Sequence, residues 1–233
     1  MPSPAVYRSP RAASIAATAL LAATCATMLF SLVADFRMYQ AAGDLATDTE
    51  LVDDATLNAV DQLRDNASTI HMLVLVASGA AFITWFYRVR VNAETLDPHG
   101  HRYRRGWAIG GWFTPVAALW FPRQIAGDIW QAGARPDGSG VRPPLPQTLL
   151  NLWWGTFLAA GVVDRIGAQY NAKAEFPDTY QQSVLWLTAS DLLEVAAAVF
   201  AVLMVRKLTG MQEQRFAESA AGAYGVSAAT VRS

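Results

Sequence analysis

Cysteine and lysine are nearly missing from this sequence. Cys25 is the lone cysteine, and only Lys173 and Lys207 among the 18 basic residues are lysines. One cysteine excludes an internal disulfide and any multi-cysteine metal site. Charge is scarce as well: 16% of residues are charged, where soluble domains carry roughly 25%. With 53% hydrophobic residues and a mean hydropathy of +0.20, this balance argues against an ordinary soluble domain and for a membrane protein. The preference for arginine over lysine, with many alanines, suggests a GC-rich bacterial genome.

Catalytic signatures are also lacking. There is no Gly-x-Ser-x-Gly elbow, no His-Glu-x-x-His, no phosphate-binding glycine loop followed by Lys-Ser/Thr and no dinucleotide fingerprint. No catalytic residue, metal ligand or cofactor is therefore assigned. His99 and His101 stand two apart but have no third clear ligand beside them. The basic residues abut apolar runs and belong to no recognisable nucleic-acid-binding motif, so no nucleic-acid partner is expected.

What the sequence does hold is a series of apolar runs. After a short polar segment, 1–11, residues 12–34 are long enough to cross a ~30 Å hydrocarbon core, and too long for the apolar part of a cleavable signal peptide. Residues 35–69 are acidic, with a helical period over 51–66. Residues 70–87 form a second span, closed by an aromatic belt of Trp85, Phe86 and Tyr87. Residues 148–166 and 184–205 form the third and fourth, separated by a polar loop, 167–183, and followed by a polar, small-residue tail, 206–233, expected to be loosely ordered.

Between the second and third spans lies a basic loop, 88–147. It contains an apolar run, 107–121, too short to cross and broken by Gly110, Gly111 and Pro115. Together with Pro122 it reads as a dipping segment, re-entrant or interfacial, with Trp107, Trp112, Pro115, Trp120, Pro122 and Trp130 as its markers. Residues 123–132 put Ile125, Ala126, Ile129 and Trp130 on one face, the pattern of an amphipathic helix lying in the interface plane. Gly133 to Pro146 is rich in glycine and proline and is expected to be mobile.

Counting basic residues sets the orientation. If 107–121 does not cross, fourteen Arg and Lys lie on one side and four on the other; if it crosses, nine lie on each. The positive-inside rule selects the first arrangement. The expected fold is an all-α membrane protein of the plasma membrane. It has four transmembrane helices, both termini cytoplasmic, a short re-entrant or interfacial helical segment and an amphipathic helix on the cytoplasmic side.

Two constellations could carry function. Asp191 and Glu194 lie within the last apolar run, three residues apart and so on one helix face. They form either a proton or cation site or a pair that fixes packing, with Asp164 and Arg165 of the preceding span as neighbours and Arg165 as the expected partner of Asp191. Arg88, Arg90, Arg102, Arg104 and Arg105 could hold anionic lipid headgroups or another anionic ligand, each worth ~1 kcal/mol near a charged leaflet, or simply reflect the positive-inside bias. Gly155, Ala159, Ala160 and Gly161 offer a small-residue face for a second copy or another membrane protein.

The motifs of the central stretch carry a resemblance. Trp85-Phe86-Tyr87-Arg88, Arg90-Val91-Asn92-Ala93, Gly106-Trp107, Gly110-Gly111-Trp112-Phe113-Thr114-Pro115, Leu119-Trp120-Phe121-Pro122 and Asp128-Ile129-Trp130 resemble the bacterial membrane-protein family known as domain of unknown function 4328, common in actinobacteria. The resemblance covers roughly residues 70–206. It implies a multi-span plasma-membrane protein and no known activity. The working expectation is a non-enzymatic, lipid-interacting or partner-binding component, with a small transporter or proton/cation pathway through Asp191 and Glu194 as the alternative.

Overall fold

The computed structural model describes residues 5–47, 54–173 and 177–230, and these residues contain helices and no strand. The order is α1 (Arg11–Thr47), α2 (Asp54–Leu96), α3 (Trp107–Phe113), a 3-10 turn (Ala117–Leu119), α4 (Phe121–Ala132), α5 (Thr148–Ala172) and α6 (Pro177–Thr230). Three helices are long and apolar enough to cross a membrane, over Arg11–Ala41, Ala55–Leu96 and Gln181–Ala221. The 25-residue α5 is long enough as well, but Asn151, Trp153, Trp154, Asp164 and Arg165 reduce its mean hydropathy.

Each of the four apolar runs lies within a longer helix. The 43 residues of α2 rise roughly 65 Å, about twice the hydrocarbon thickness. The helical period seen over 51–66 is thus the first part of α2 from Asp54 onward, and residues 48–53 lie outside the described residues. The tail beyond 206, expected to be loose, is instead the continuation of α6 to Thr230. Alanine, glutamine, glutamate and arginine after Leu208 are good helix formers, and no proline interrupts them. Similarly α5 runs six residues past its apolar stretch, to Ala172.

Local chemistry sets the breaks. Pro98 stops α2 two residues earlier, at Leu96. Thr114, held extended before Pro115 (φ −88°, ψ 115°), ends α3. Val116 then adopts φ 66°, ψ −55°, and the Ala117 N–H donates to the Pro115 carbonyl at 2.7 Å. This is a γ-turn of the rare positive-φ form, costly for a β-branched residue.

The chain forms two compact units. One comprises residues 19–79 and 151–202, the other residues 1–18, 80–150 and 203–233. The described residues of the first are almost all helical, and small and hydroxyl side chains make contacts between its helices. Thr24 and Ser78 share a buried 2.7 Å hydrogen bond, Ser190 donates to the Ala160 carbonyl at 3.3 Å, and Gly167 lies where a Cβ would meet Leu187 at 3.0 Å. Its outward residues are apolar: Leu29, Val33, Met72, Leu73, Val76, Val162 and Leu192 are all more than half exposed. A surface of that kind suits lipid and not water.

The second unit holds most of the fully buried residues. Trp85, Phe86, Val89, Arg90, Asn92, Ala108, Ile125, Ile129, Met204, Leu208 and Gln212 are all at most 2% exposed. Two expectations change here. Trp85 and Phe86 are not an interfacial belt: both are fully buried, and Trp85 Nε1 donates to Thr209 Oγ1 at 3.0 Å; only Tyr87 is exposed. The amphipathic helix forms, as α4 with Pro122 in its first turn, but Ile125, Ala126, Ile129 and Trp130 are buried in protein. They are therefore not available as a membrane-facing stripe.

Candidate functional site

The fourteen basic residues that arginine counting places on one side are the same fourteen that fall in the second unit, against six acidic residues, a net +8. The first unit carries four basic and thirteen acidic residues, a net −9. Each unit presents one polar constellation.

In the basic unit, the arginines are only partly available. Arg90 is 2% exposed and donates to Glu94 Oε1 at 2.8 Å and to the Tyr103 carbonyl at 2.6 Å. Arg105 Nε pairs with the other Glu94 oxygen. Arg102 reaches Asp128 with its backbone N–H at 3.0 Å and its Nε at 3.2 Å. Three of the five expected anion ligands thus hold the 97–105 loop against α2 and α4. Arg104 is exposed, and Arg88 makes a long 3.4 Å contact to the Ser9 carbonyl. The carboxylates that absorb this charge, Glu94 and Asp128, escaped the sequence reading. Glu94 stands four residues after Arg90, a spacing that marks a helical pair; Asp128 gives no local signal.

Asn92 is the second buried centre that sequence reasoning missed. Its amide donates to the Arg8 carbonyl at 2.8 Å and to Gln212 Oε1 at 3.2 Å, while its oxygen accepts from the Arg8 N–H at 3.0 Å. Gln212 in turn donates to the Val89 carbonyl at 2.8 Å. Residues far apart in sequence are thereby joined at one point. His101 lies in a polar cavity of about 380 Å³ with His99, Asp128, Gln131 and Gln147. Burial, then the Arg90 charge, lower the pKa of His101 below its ordinary 6.5, so the ring is neutral at pH 7. Among the described residues no group of His, Cys, Asp or Glu has the arrangement of a metal site.

The dipping-segment markers separate into two sets. Pro122 and Trp130 are buried, and Trp112 packs edge-on against Phe82 and Phe86 at centroid distances of 5.7 and 6.0 Å. Trp107, Ile109, Phe113, Val116, Leu119 and Trp120 are exposed, Phe113 to 73%. Pro115 is also exposed. The Gly/Pro-rich loop that follows contains a hydrogen-bonded turn. Asp137 Oδ1 accepts from the Ser139 hydroxyl at 2.6 Å and from the Ser139 and Val141 N–H groups at 2.9 and 3.0 Å, which lowers the Asp137 pKa. Gly140 closes that turn at φ +83°, open to glycine.

In the acidic unit, Asp191 and Glu194 each find a partner, though not Arg165, which is exposed and makes no ion pair among the described residues. The Asp191 carboxyl lies close to that of the buried Asp35. Asp35 also faces Arg64 Nε at 3.8 Å. Glu194 faces His71 Nε2 at 3.8 Å, and His71 Nδ1 contacts Thr27 Oγ1 at 3.1 Å. Asp164 is exposed and lies close enough to act electrostatically on His71, Asp191 and Glu194. Gly155 and Gly161 border open space, while Ala160 is buried, so the small-residue face is only partly free.

Comparison with known proteins gives one match. The model of a family described as Domain of unknown function (DUF4328) covers residues 48–210. No curated protein and no solved structure matches the chain.

Proposed function

The chain belongs to the family described as Domain of unknown function (DUF4328), and from that premise we propose a four-span protein of the bacterial plasma membrane that acts without catalysis. It is a lipid-interacting or partner-binding structural component. α5 is the fourth span, both termini are cytoplasmic, and residues 107–122 dip into the cytoplasmic leaflet without crossing. One observation carries this reading. A unit of net +8 bears the exposed apolar side chains Trp107, Ile109, Phe113, Val116, Leu119 and Trp120 on a segment whose only α-helix has seven residues. Seven residues rise roughly 10 Å, far short of a span. Exposed aromatics beside a basic surface suit an anionic leaflet.

The test is depth. In a Cys25→Ser background, Phe113→Cys is labelled with an environment-sensitive fluorophore in protein reconstituted into phosphatidylglycerol-containing bilayers. Its emission should shift to the blue and be quenched by nitroxide-bearing acyl chains. Emission as water-like as that of a Ser139→Cys control would remove the dipping segment from the membrane.

A second reading is favoured by a different contact. Asp191 lies close to Asp35, and Glu194 faces His71, inside helices of the apolar unit. Such a chain of proton-carrying groups is the raw material of a proton or cation pathway. Proteoliposomes should then show a pH-gradient-driven flux that Glu194→Gln or Asp191→Asn abolishes. Equal flux in parent and variants would leave these groups a packing role.

A further inference from the structure

Beside the Asn92 anchor a cavity of about 400 Å³ opens, within the size range of small-molecule sites (roughly 300–1,000 Å³). Arg8, Arg88 and Arg105 line it together with Tyr87, Val6 and Val91, and no acidic side chain does. The three guanidinium groups come from separate places in the sequence. Arg8 is delivered by the N-terminal segment, whose backbone N–H and carbonyl are both bound by Asn92. Arg88 stands one turn before Asn92 on α2. Arg105 arrives on the loop that its own pairing with Glu94 fixes. With Arg105 held by Glu94, Arg8 and Arg88 are the cations left to a bound ligand, and cations lining a cavity without a carboxylate select an oxyanion.

We propose that this cavity binds the phosphate group of an anionic membrane lipid. The lipid source follows from the walls. Val6 is 65% exposed and Tyr87 36% exposed at the cavity. Tyr87 closes the apolar run 70–87, the position at which amphipathic aromatics sit at headgroup level. A soluble phosphate compound would have no use for the apolar rim; a lipid places its first methylenes there. This assignment rests on the reading of the chain as a membrane protein whose basic unit meets an anionic leaflet, and it adds the specific site.

Native mass spectrometry of the full chain released from detergent tests both levels separately. Phosphatidylglycerol and phosphatidylcholine are the lipid probes, and glycerol 3-phosphate is the soluble competitor. The parent should retain phosphatidylglycerol at least about 10-fold over phosphatidylcholine. Arg8→Gln with Arg88→Gln should lower that retention about 10-fold, as expected for losing two cations at a charged headgroup, whereas Arg104→Gln, outside the cavity, should stay within about twofold of the parent. Arg8→Gln alone keeps the test valid if the double variant fails to fold, because the Asn92 anchor holds the Arg8 backbone and not its exposed side chain. No lipid preference in the parent would overturn the leaflet reading and the site together. A preference kept by the double variant would overturn the site alone. Displacement of the lipid by an equal concentration of glycerol 3-phosphate would overturn the lipid as the source of the phosphate.

Discussion

Asn92 concentrates three hydrogen bonds into one fully buried side chain, and its loss should show in two ways. Asn92→Ala removes all three and leaves the Gln212 amide oxygen and both Arg8 backbone groups without that partner. At about 1 kcal/mol per hydrogen bond, more where a buried group is left unmatched, destabilisation of about 3 kcal/mol is expected in detergent unfolding. Trypsin should also cleave after Arg8 and Arg11 much faster in the variant, because the tether on the N-terminal segment is gone. His101 gives a pH signature at the same scale. Its folded pKa lies below its ordinary 6.5, so the unfolded chain binds the proton first. The stability linked to its neutral form is complete above about pH 6.5 and is lost as the pH falls below it, down to the folded pKa. His101→Gln should flatten the fall in thermal midpoint between pH 7.5 and pH 5; equal slopes in parent and variant would remove His101 as its source. In the sequence these residues were visible as types but not as partners. Arg102 and Asp128 are 26 positions apart, Asn92 and Gln212 are 120 apart, and no period or motif spacing encodes such a meeting. A count of arginines therefore assigned to an outside ligand the charge that Glu94 and Asp128 absorb.

At the scale of elements, hydropathy located the helices but not their ends. A window of apolar residues reports where lipid would be tolerated; a helix continues as long as its backbone is supported. α6 therefore outruns its apolar run on residues of high helix propensity, and its Gln212 and Leu208 are fully buried beyond it. The breaks of segment 107–122 were legible where they are chemical: Pro115 ends one short helix and Pro122 starts the next, while the glycine pair that the sequence also offered as a break lies inside α3. The positive φ of Val116 was not, since nothing in a valine announces it. That turn yields a prediction. Val116→Gly removes the Cβ from a conformation that costs about 1–3 kcal/mol for such a residue and adds about 0.5–1 kcal/mol of unfolded-state entropy. The variant should be as stable as the parent or more so, while Gly140→Val, which places a β-branched residue at φ +83°, should be less stable. A Val116→Gly protein that unfolds earlier would mean that the exposed valyl group is held by a partner surface in the membrane.

For the whole molecule the deciding quantity is charge. The chain segments of one unit hold fourteen basic residues and those of the other thirteen acidic residues. A soluble protein gains nothing from that segregation, and self-repulsion within each unit opposes it. A bilayer supplies the reason: basic segments are retained on the cytoplasmic side, while acidic loops are translocated freely. The proposed four-span arrangement makes a sharp prediction from this. With Cys25 replaced by Ser, single cysteines at Thr47, Ser139 and Ser233 are challenged in intact cells with an impermeant thiol reagent. Only Thr47→Cys should label. Labelling of Ser139→Cys and Ser233→Cys would mean that residues 107–121 cross, dividing the basic residues nine and nine across the membrane. The basic unit could not then face one leaflet. The phosphate site would lose its anionic surface, and a proline-broken fifth span would put the ion pathway of Asp191 and Glu194 first.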